Sequence, residues 1–125
     1  MIPAVARSRR RSQAGRAAVL LGLLASQAAA GPFDGAWSPD PAQCAVEDDV
    51  GRIIVSDREL RMWEETCRLG PPTPALSPAG AVIHDARCQG LDYTWSGRIV
   101  LMLGADGRLA VIDDEGRPTF YHRCG

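Results

Sequence analysis

Residues 98–113, RIVLMLGADGRLAVID, carry the clearest structural pattern in the chain. Two short runs of β-branched and large aliphatic residues, 99–103 and 109–112, flank a Gly-Ala-Asp-Gly corner whose glycines tolerate a positive φ angle. Apolar runs of this length on either side of such a corner are typical of a β-hairpin. The sequence therefore predicts two antiparallel strands here, around which the rest of the fold is built.

Further strands are expected on both sides of this hairpin. In segment 81–88 (AVIHDARC) and segment 93–103, every second side chain falls on one face, as in a strand. Gly97 in the longer segment predicts a bulge or bend. After another turn, segment 118–124 (PTFYHRC) is expected to form a closing strand.

The first half of the chain is less regular. Segments 52–55 (RIIV) and 60–69 (LRMWEETCRL) predict a strand, a turn and a second strand, although neither face of 60–69 is cleanly apolar. A short amphipathic helix over 58–67 is the alternative. Segment 70–80 (GPPTPALSPAG) contains four prolines and is expected to be a stiff surface loop.

These segments together predict an all-β fold. About six or seven strands joined by short turns would form a small antiparallel meander or barrel. One such domain accounts for residues 31–125, since the whole chain has only 125 residues.

Residues 1–30 have the parts of a secretory signal peptide. Five arginines precede an apolar run at 17–25 (AAVLLGLLA). Residues 28–30 (AAA) form the small-residue pattern that precedes a cleavage site. The apolar run is too short for a membrane anchor, which needs about 20 residues. We therefore expect cleavage after residue 30.

The residues of the leader favour one export route. Ser8, Arg9 and Arg10 resemble the start of a twin-arginine signal, but Ser12 and Gln13 stand where that signal has an apolar residue. Folding before export would also occur in a reducing cytoplasm, which suits a chain with four cysteines poorly. The general secretory route to the bacterial periplasm or medium is the prediction.

Removal of the leader leaves an acidic domain. All 14 basic residues are arginine; the nine that follow residue 30 stand against 15 acidic residues, a formal balance of −6. Nucleic acids and anionic membranes are bound by basic surfaces. The charge therefore argues against nucleic acid, and against a membrane after cleavage, as partners.

Four cysteines, Cys44, Cys67, Cys88 and Cys124, predict two disulfides in a small exported domain. Zinc binding is the competing use, but no two cysteines have the Cys-x2-Cys spacing, and His84 with Cys88 is only a lone pair. Four cysteines allow three pairings. We favour Cys44 with Cys67 and Cys88 with Cys124, because each bond would join neighbouring elements, and all three pairings stay open.

Candidates for catalysis are few, and we expect no enzyme activity, cofactor or metal site. Asp85 follows His84 directly, so in a strand the two side chains point to opposite faces and cannot act as a base and its orienting carboxylate. No Gly-x-Ser-x-Gly motif is present. A small hydrolase using His84 or His122 is the enzymatic alternative.

Three tryptophans, Trp37, Trp63 and Trp95, are the remaining candidates for function. In a small β-domain such residues usually fill the core, and Trp37 is expected to close one end of it. Any tryptophan exposed on a strand face would mark a binding surface, because aromatic side chains dominate interface energies.

The motifs FDGAWSPDPAQC (33–44), LRMWEETCRL (60–69) and YHRC (121–124) support a resemblance. In them the chain resembles a group of small exported four-cysteine proteins of alphaproteobacteria. The resemblance covers nearly all of residues 31–125 and implies export and disulfides, but it brings no activity with it.

A looser resemblance is to the bacterial metalloprotease inhibitors with a lipocalin-like barrel. Their first strand carries Gly-x-Trp, here Gly35-Ala36-Trp37, followed shortly by a cysteine, here Cys44. The resemblance implies a periplasmic β-barrel that inserts its N-terminal tail into a protease. This chain departs from the family in having four cysteines and only residues 31–34 before the Gly-x-Trp.

These observations predict an exported, non-catalytic binding module whose partner is a protein of the cell envelope. Inhibition of a periplasmic or secreted hydrolase is the alternative. A binding module predicts an exposed aromatic or acidic patch on a complete barrel. The hydrolase predicts a cleft in which His84 or His122 meets a carboxylate.

Overall fold

The computed structural model describes residues 3–4 and 31–125. The predicted signal peptide, 1–30, lies outside the described residues apart from Pro3 and Ala4. Among the described residues, no helix has the length and apolar character needed to cross a membrane. The described chain contains a single turn of 3-10 helix, Pro41–Gln43, and these strands: β1 (Gly35–Ser38), β2 (Ile53–Ser56), β3 (Glu59–Arg61), β4 (Thr66–Leu69), β5 (Thr73–Pro74), β6 (Val82–Gln89), β7 (Thr94–Leu103), β8 (Leu109–Ile112) and β9 (Pro118–Cys124).

Antiparallel pairing closes eight of these strands into a barrel. Neighbours follow the order β4, β3, β2, β1, β9, β8, β7, β6, and β4 pairs with β6 to complete the ring. The short β5 pairs with the first residues of β6, outside the ring. Closure removes the unpaired edges that an open sheet would expose. The predicted all-β barrel is confirmed, with more strands than the six or seven expected.

The hairpin predicted from residues 98–113 is confirmed. Strands β7 and β8 pair from Val100 with Ile112 to Leu103 with Leu109. Gly107 has a φ angle of 80° in the corner between them, a conformation that glycine adopts without steric cost.

Segment 60–69 forms two strands, so both the single strand and the alternative helix predicted there are wrong. The Met62 N–H donates to the Glu65 carbonyl at 2.8 Å, and the chain reverses over the two residues between them. Leu60 and Cys67 would lie on opposite faces of one strand, whereas the reversal makes them direct partners, both buried. The change of direction explains why neither face of the segment is cleanly apolar.

Gly97 does not form the predicted bulge. Strands β6 and β7 pair without interruption from Val82 with Leu101 to Gln89 with Thr94. A Cβ atom at Gly97 would come within 2.9 Å of the Asp114 carboxylate, which approaches this position from the turn before β9. The glycine therefore serves this close approach rather than a break in the strand.

Apolar side chains fill the barrel interior, as is usual for small barrels. Trp37 is completely buried, its indole N–H donates to the Phe33 carbonyl at 2.9 Å, and the Arg123 guanidinium stacks 4.1 Å from the ring centre. Its predicted place in the core is confirmed. Burial of each large aliphatic side chain stabilises the fold by roughly 1.5–3 kcal/mol. The most completely buried aliphatic side chains are Leu60, Leu69, Leu101 and Leu109.

All four cysteines form disulfides, but the favoured pairing is wrong. Cys67 bonds to Cys88, its direct partner across β4 and β6, and Cys44 bonds to Cys124, 80 residues later in the sequence. Residue Cys44 follows the 3-10 turn after β1, and β1 pairs with β9, so the two sulfurs meet. Spatial neighbours in the barrel, rather than neighbours in sequence, decide the pairing. Two disulfides are consistent with an oxidising compartment.

Candidate functional site

Two tight turns lie side by side at one end of the barrel. One joins β3 to β4 over residues 62–65; the other joins β6 to β7 over residues 90–93, where the Gly90 N–H donates to the Tyr93 carbonyl at 2.9 Å. The two turns are adjacent because Thr66, the first residue of β4, pairs with Gln89, the last residue of β6. Residues far apart in sequence therefore share one surface.

These turns expose large apolar side chains. The exposed fractions are 55% for Trp63, 85% for Leu91 and 52% for Tyr93. Met62 and Trp95, both half-buried, continue this surface inward and pack against the core. We call Met62, Trp63, Leu91, Tyr93 and Trp95 the tip patch.

Glu65 connects the two turns. Its Oε2 atom accepts a hydrogen bond from the Trp95 indole N–H at 2.8 Å. Hydrogen bonding with the same carboxylate raises the pKa of Tyr93, and burial and the negative charge of Glu65 act in the same direction. One side chain from the first turn thus holds Trp95 of the second hairpin and influences the titration of Tyr93.

Gly90 gives Tyr93 its position. A Cβ atom at Gly90 would overlap the Tyr93 ring, which therefore lies directly over this residue. Any larger residue would displace the ring from the carboxylate of Glu65. The backbone of the second turn and the side chain of the first turn together fix the aromatic surface.

A groove of about 990 Å³ runs over the outer faces of β4, β6 and β7, next to the tip patch. Four arginines and two aspartates, Asp57 and Asp85, line this groove. A second hollow lies beside the tip patch. Two arginines, Arg68 and Arg87, line both the groove and this hollow, so the two surfaces are continuous. We call the basic residues of this groove the arginine groove; they are Arg58, Arg68, Arg87 and Arg98.

The predicted tryptophans separate into different environments. Trp37, one of the three candidates for a binding surface, belongs to the core, so that candidate is wrong: the pairing of β1 with β2 and β9 places it inside the barrel. Trp63 and Trp95 lie together in the lining of the hollow at the tip patch. The sequence analysis missed Leu91, Tyr93 and the arginine groove.

Neither histidine lines the arginine groove or the hollow at the tip patch. His84 is 6% exposed, and its Nδ1 atom is 2.8 Å from the Gly70 carbonyl oxygen. The Nδ1–H donates this bond, because a carbonyl oxygen can only accept. The hydrogen bond gives His84 a structural role between β6 and the start of the proline-rich loop.

One group of potential metal ligands occurs among the described residues: Glu65, Cys67 and Cys88, with ligand atoms within 4.8 Å of one another. Both sulfurs are joined in the disulfide, so neither is available as the thiolate that would bind a metal. Cys88 is one of these two sulfurs, so it cannot bind a metal as a thiolate together with His84 either.

The exposed groups of this end of the barrel are aromatic and aliphatic faces, guanidinium groups and carboxylates, among them those of Glu64 and Asp92 in the two turns. Such groups recognise a partner by burial of apolar surface and by charge. Comparison of the chain with protein-family models, with curated proteins and with solved structures found no match.

Proposed function

We propose that the chain is an exported, non-catalytic binding module that binds a protein of the cell envelope through the tip patch. The observation that carries the proposal is the exposure of Trp63, Leu91 and Tyr93 on two neighbouring turns. Aromatic residues anchor protein interfaces, and a contiguous exposed apolar surface is uncommon on a protein without a partner.

The organisation of the tip patch supports binding. Trp95 is held by the Glu65 carboxylate, and the ring of Tyr93 rests on Gly90. Side chains ordered before association lose less conformational entropy when the partner binds. The patch is therefore suited to recognition by a preformed surface.

The place of action follows from the leader and the cysteines. Residues 1–30 have the pattern of a cleaved secretory signal, and two disulfides suit the periplasm or the medium. Inhibition of a hydrolase stays a prediction from the resemblance to metalloprotease inhibitors. Among the described residues, no observation favours it over a general binding role.

Site-specific photocrosslinking tests the proposal with two matched leucines. A photoreactive amino acid replaces Leu91, in the tip patch, or Leu76, which is fully exposed in the proline-rich loop. Both proteins are expressed, exported and irradiated in cells that naturally make the chain. We expect one discrete protein adduct from position 91, absent from position 76 and lost when Trp63→Ala and Tyr93→Ala are added.

Thermal melting first checks that the Trp63→Ala and Tyr93→Ala variant remains folded, since both side chains are largely exposed. An adduct that persists in this variant would show that the patch does not select the partner. Equal adducts from positions 91 and 76, or none from 91, would contradict the proposal.

A further inference from the structure

Arg68 and Arg87 are direct partners across the junction of β4 and β6. Both side chains are exposed on the outer face of the barrel, next to the buried disulfide of Cys67 and Cys88. Like charges opposite each other on neighbouring strands destabilise a sheet. The barrel therefore keeps an unfavourable pair at the strand junction that closes it.

No carboxylate of the described chain forms an ion pair with either arginine, although Asp57 and Asp85 line the same groove. Within residues 31–125, neither Arg68 nor Arg87 forms an ion pair or a side-chain hydrogen bond. Glu59 is the partner of Arg68 on β3, but its carboxylate binds Arg61 at 2.7 Å. Other arginines do form ion pairs with carboxylates, as Arg108 does with Asp106. In a domain with 15 acidic residues, two arginines that face each other in the register without an ion pair are unexpected.

We infer that Arg68 and Arg87 form the centre of a site for an acidic segment of the protein partner, an inference that rests on the proposed function. Guanidinium groups bind carboxylates through paired, charge-assisted hydrogen bonds. Arg58 and Arg98 line the same groove and add two further positive charges to it. Arg98 already contacts Asp85 at 3.4 Å, but both side chains are highly exposed and free to exchange this contact for another.

The position of the pair favours a peptide segment over a free anion. Arg87 lies near the end of β6 and Leu91 lies four residues later in the turn that follows, so about 13 Å, the length of four extended residues, is the upper limit of their separation. A partner segment with an apolar side chain about four residues from its acidic side chains therefore reaches the tip patch and the arginines together. The acidic balance of residues 31–125 disfavours long polyanions, which would meet negative charge elsewhere on the surface.

Peptide titration followed by nuclear magnetic resonance tests the site in the oxidised protein. The probe is an acetylated, amidated peptide with one leucine, three serines and four glutamates in that order. Its control has glutamine in place of each glutamate. We expect the glutamate peptide to shift the resonances of Arg68, Arg87 and Leu91, and to bind at least about fivefold more tightly than its control.

Matched double variants separate a specific site from overall charge. Arg68→Gln with Arg87→Gln is expected to weaken binding of the glutamate peptide at least about fivefold, because both guanidinium groups are lost. Arg108→Gln with Arg117→Gln changes net charge equally, but outside the arginine groove. This control is expected to change the affinity less than about twofold, by long-range charge alone.

Three results would overturn the inference: equal affinities of the two peptides, equal effects of the two double variants, or resonance shifts at Arg68 and Arg87 with inorganic phosphate but not with the glutamate peptide. The last would assign the arginines to a free anion. These titrations compare the affinities of the glutamate and glutamine peptides, so they can contradict the arginine site while the crosslink from position 91 still supports the proposed function. The crosslink can likewise fail while the charge-dependent affinity remains.

Discussion

At the scale of single residues, Glu65 is the side chain on which the tip patch depends. It accepts the Trp95 indole hydrogen bond at 2.8 Å, and its hydrogen bonding and negative charge raise the pKa of Tyr93. Its Oε1 atom is 3.6 Å from the sulfur of Cys67, so the carboxylate sits against the disulfide that joins β4 to β6. Loss of the carboxylate would leave Trp95 without the group that orients it.

We predict that Glu65→Gln lowers the pKa of Tyr93. The carboxylate raises this pKa, because it favours the neutral, hydrogen-donating phenol over the phenolate. Only Tyr93 and Tyr121 are tyrosines, so in a Tyr121→Phe background the phenolate absorbance reports Tyr93 alone. The midpoint is expected above about 10 while Glu65 is present and closer to about 10 in the Glu65→Gln protein.

The same shift has a defined effect on stability. Because the folded-state pKa of Tyr93 lies above its unfolded value, the interaction stabilises the fold below about pH 10 and is lost as pH rises through the folded pKa. Glu64→Gln is the matched control, since Glu64 makes the smallest contribution to the shift. Equal midpoints for the Glu65→Gln and Glu64→Gln proteins would contradict the role given to Glu65.

At the scale of elements, the junction of β4 with β6 brings the functional features together. Its four register pairs run from Thr66 with Gln89 to Leu69 with Ala86. They close the barrel, align the cysteines of one disulfide, set the two arginines opposite each other and place the two turns side by side. A single strand pairing thus produces both the tip patch and the arginine groove.

We predict that Arg87→Glu stabilises the fold, although it removes half of the inferred site. The new carboxylate would face Arg68 directly, and opposite charges on neighbouring strands contribute roughly 0.2–1 kcal/mol relative to a neutral pair. Urea unfolding of the oxidised protein measures the change in the free energy of unfolding. Arg87→Gln is the matched control, and it is expected to give a smaller gain because it only removes the repulsion.

The electrostatic origin of this gain is checked with salt. Raising the ionic strength to about 1 M shortens the screening length to about 3 Å and is expected to shrink the difference between the two variants. A less stable Arg87→Glu protein, or a gain that salt does not reduce, would show that Arg68 and Arg87 do not repel each other as the register implies.

At the scale of the whole molecule, the disulfide of Cys44 with Cys124 ties the loop after β1 to the last strand. Nearby, Arg52 donates to the Cys44 carbonyl at 2.9 Å, and Arg123 donates to the carbonyls of Pro32 and Asp34. The beginning and the end of the described domain are therefore fastened to each other. The tip patch lies near the other disulfide, that of Cys67 with Cys88, which joins β4 to β6.

Peptide mapping is expected to show this pairing. Trypsin cleaves after arginine, and the chain has no lysine, so each cysteine of the mature chain falls in its own fragment: 31–52, 62–68, 88–98 or 124–125. Digestion of the denatured, unreduced protein is expected to join 31–52 to 124–125 and 62–68 to 88–98. Any other linkage would contradict the barrel closure, because Cys67 and Cys88 are partners in it.

Local patterns in the sequence determined the fold class and several elements. The hairpin of β7 and β8, the inward face of β6 and the burial of Trp37 follow from short-range rules, namely glycine in a tight corner and alternation with a period of two. The same rules failed at 60–69, because the chain reverses there with no glycine or proline to mark the turn, and the reversal brings Leu60 and Cys67 onto the same face.

Only the tertiary structure decided the disulfide pairing, the tip patch and the arginine groove. Each depends on contacts between segments that are distant in sequence, and these contacts are set by the order and register of strands around the closed barrel. Composition and spacing predicted four oxidised cysteines and named three tryptophans as candidates for a surface, of which Trp63 and Trp95 line the hollow at the tip patch and Trp37 is buried. The partners of those residues were determined by barrel closure, since the pairings of β4 with β6 and of β1 with β9 join segments that are distant in sequence and that no local turn connects.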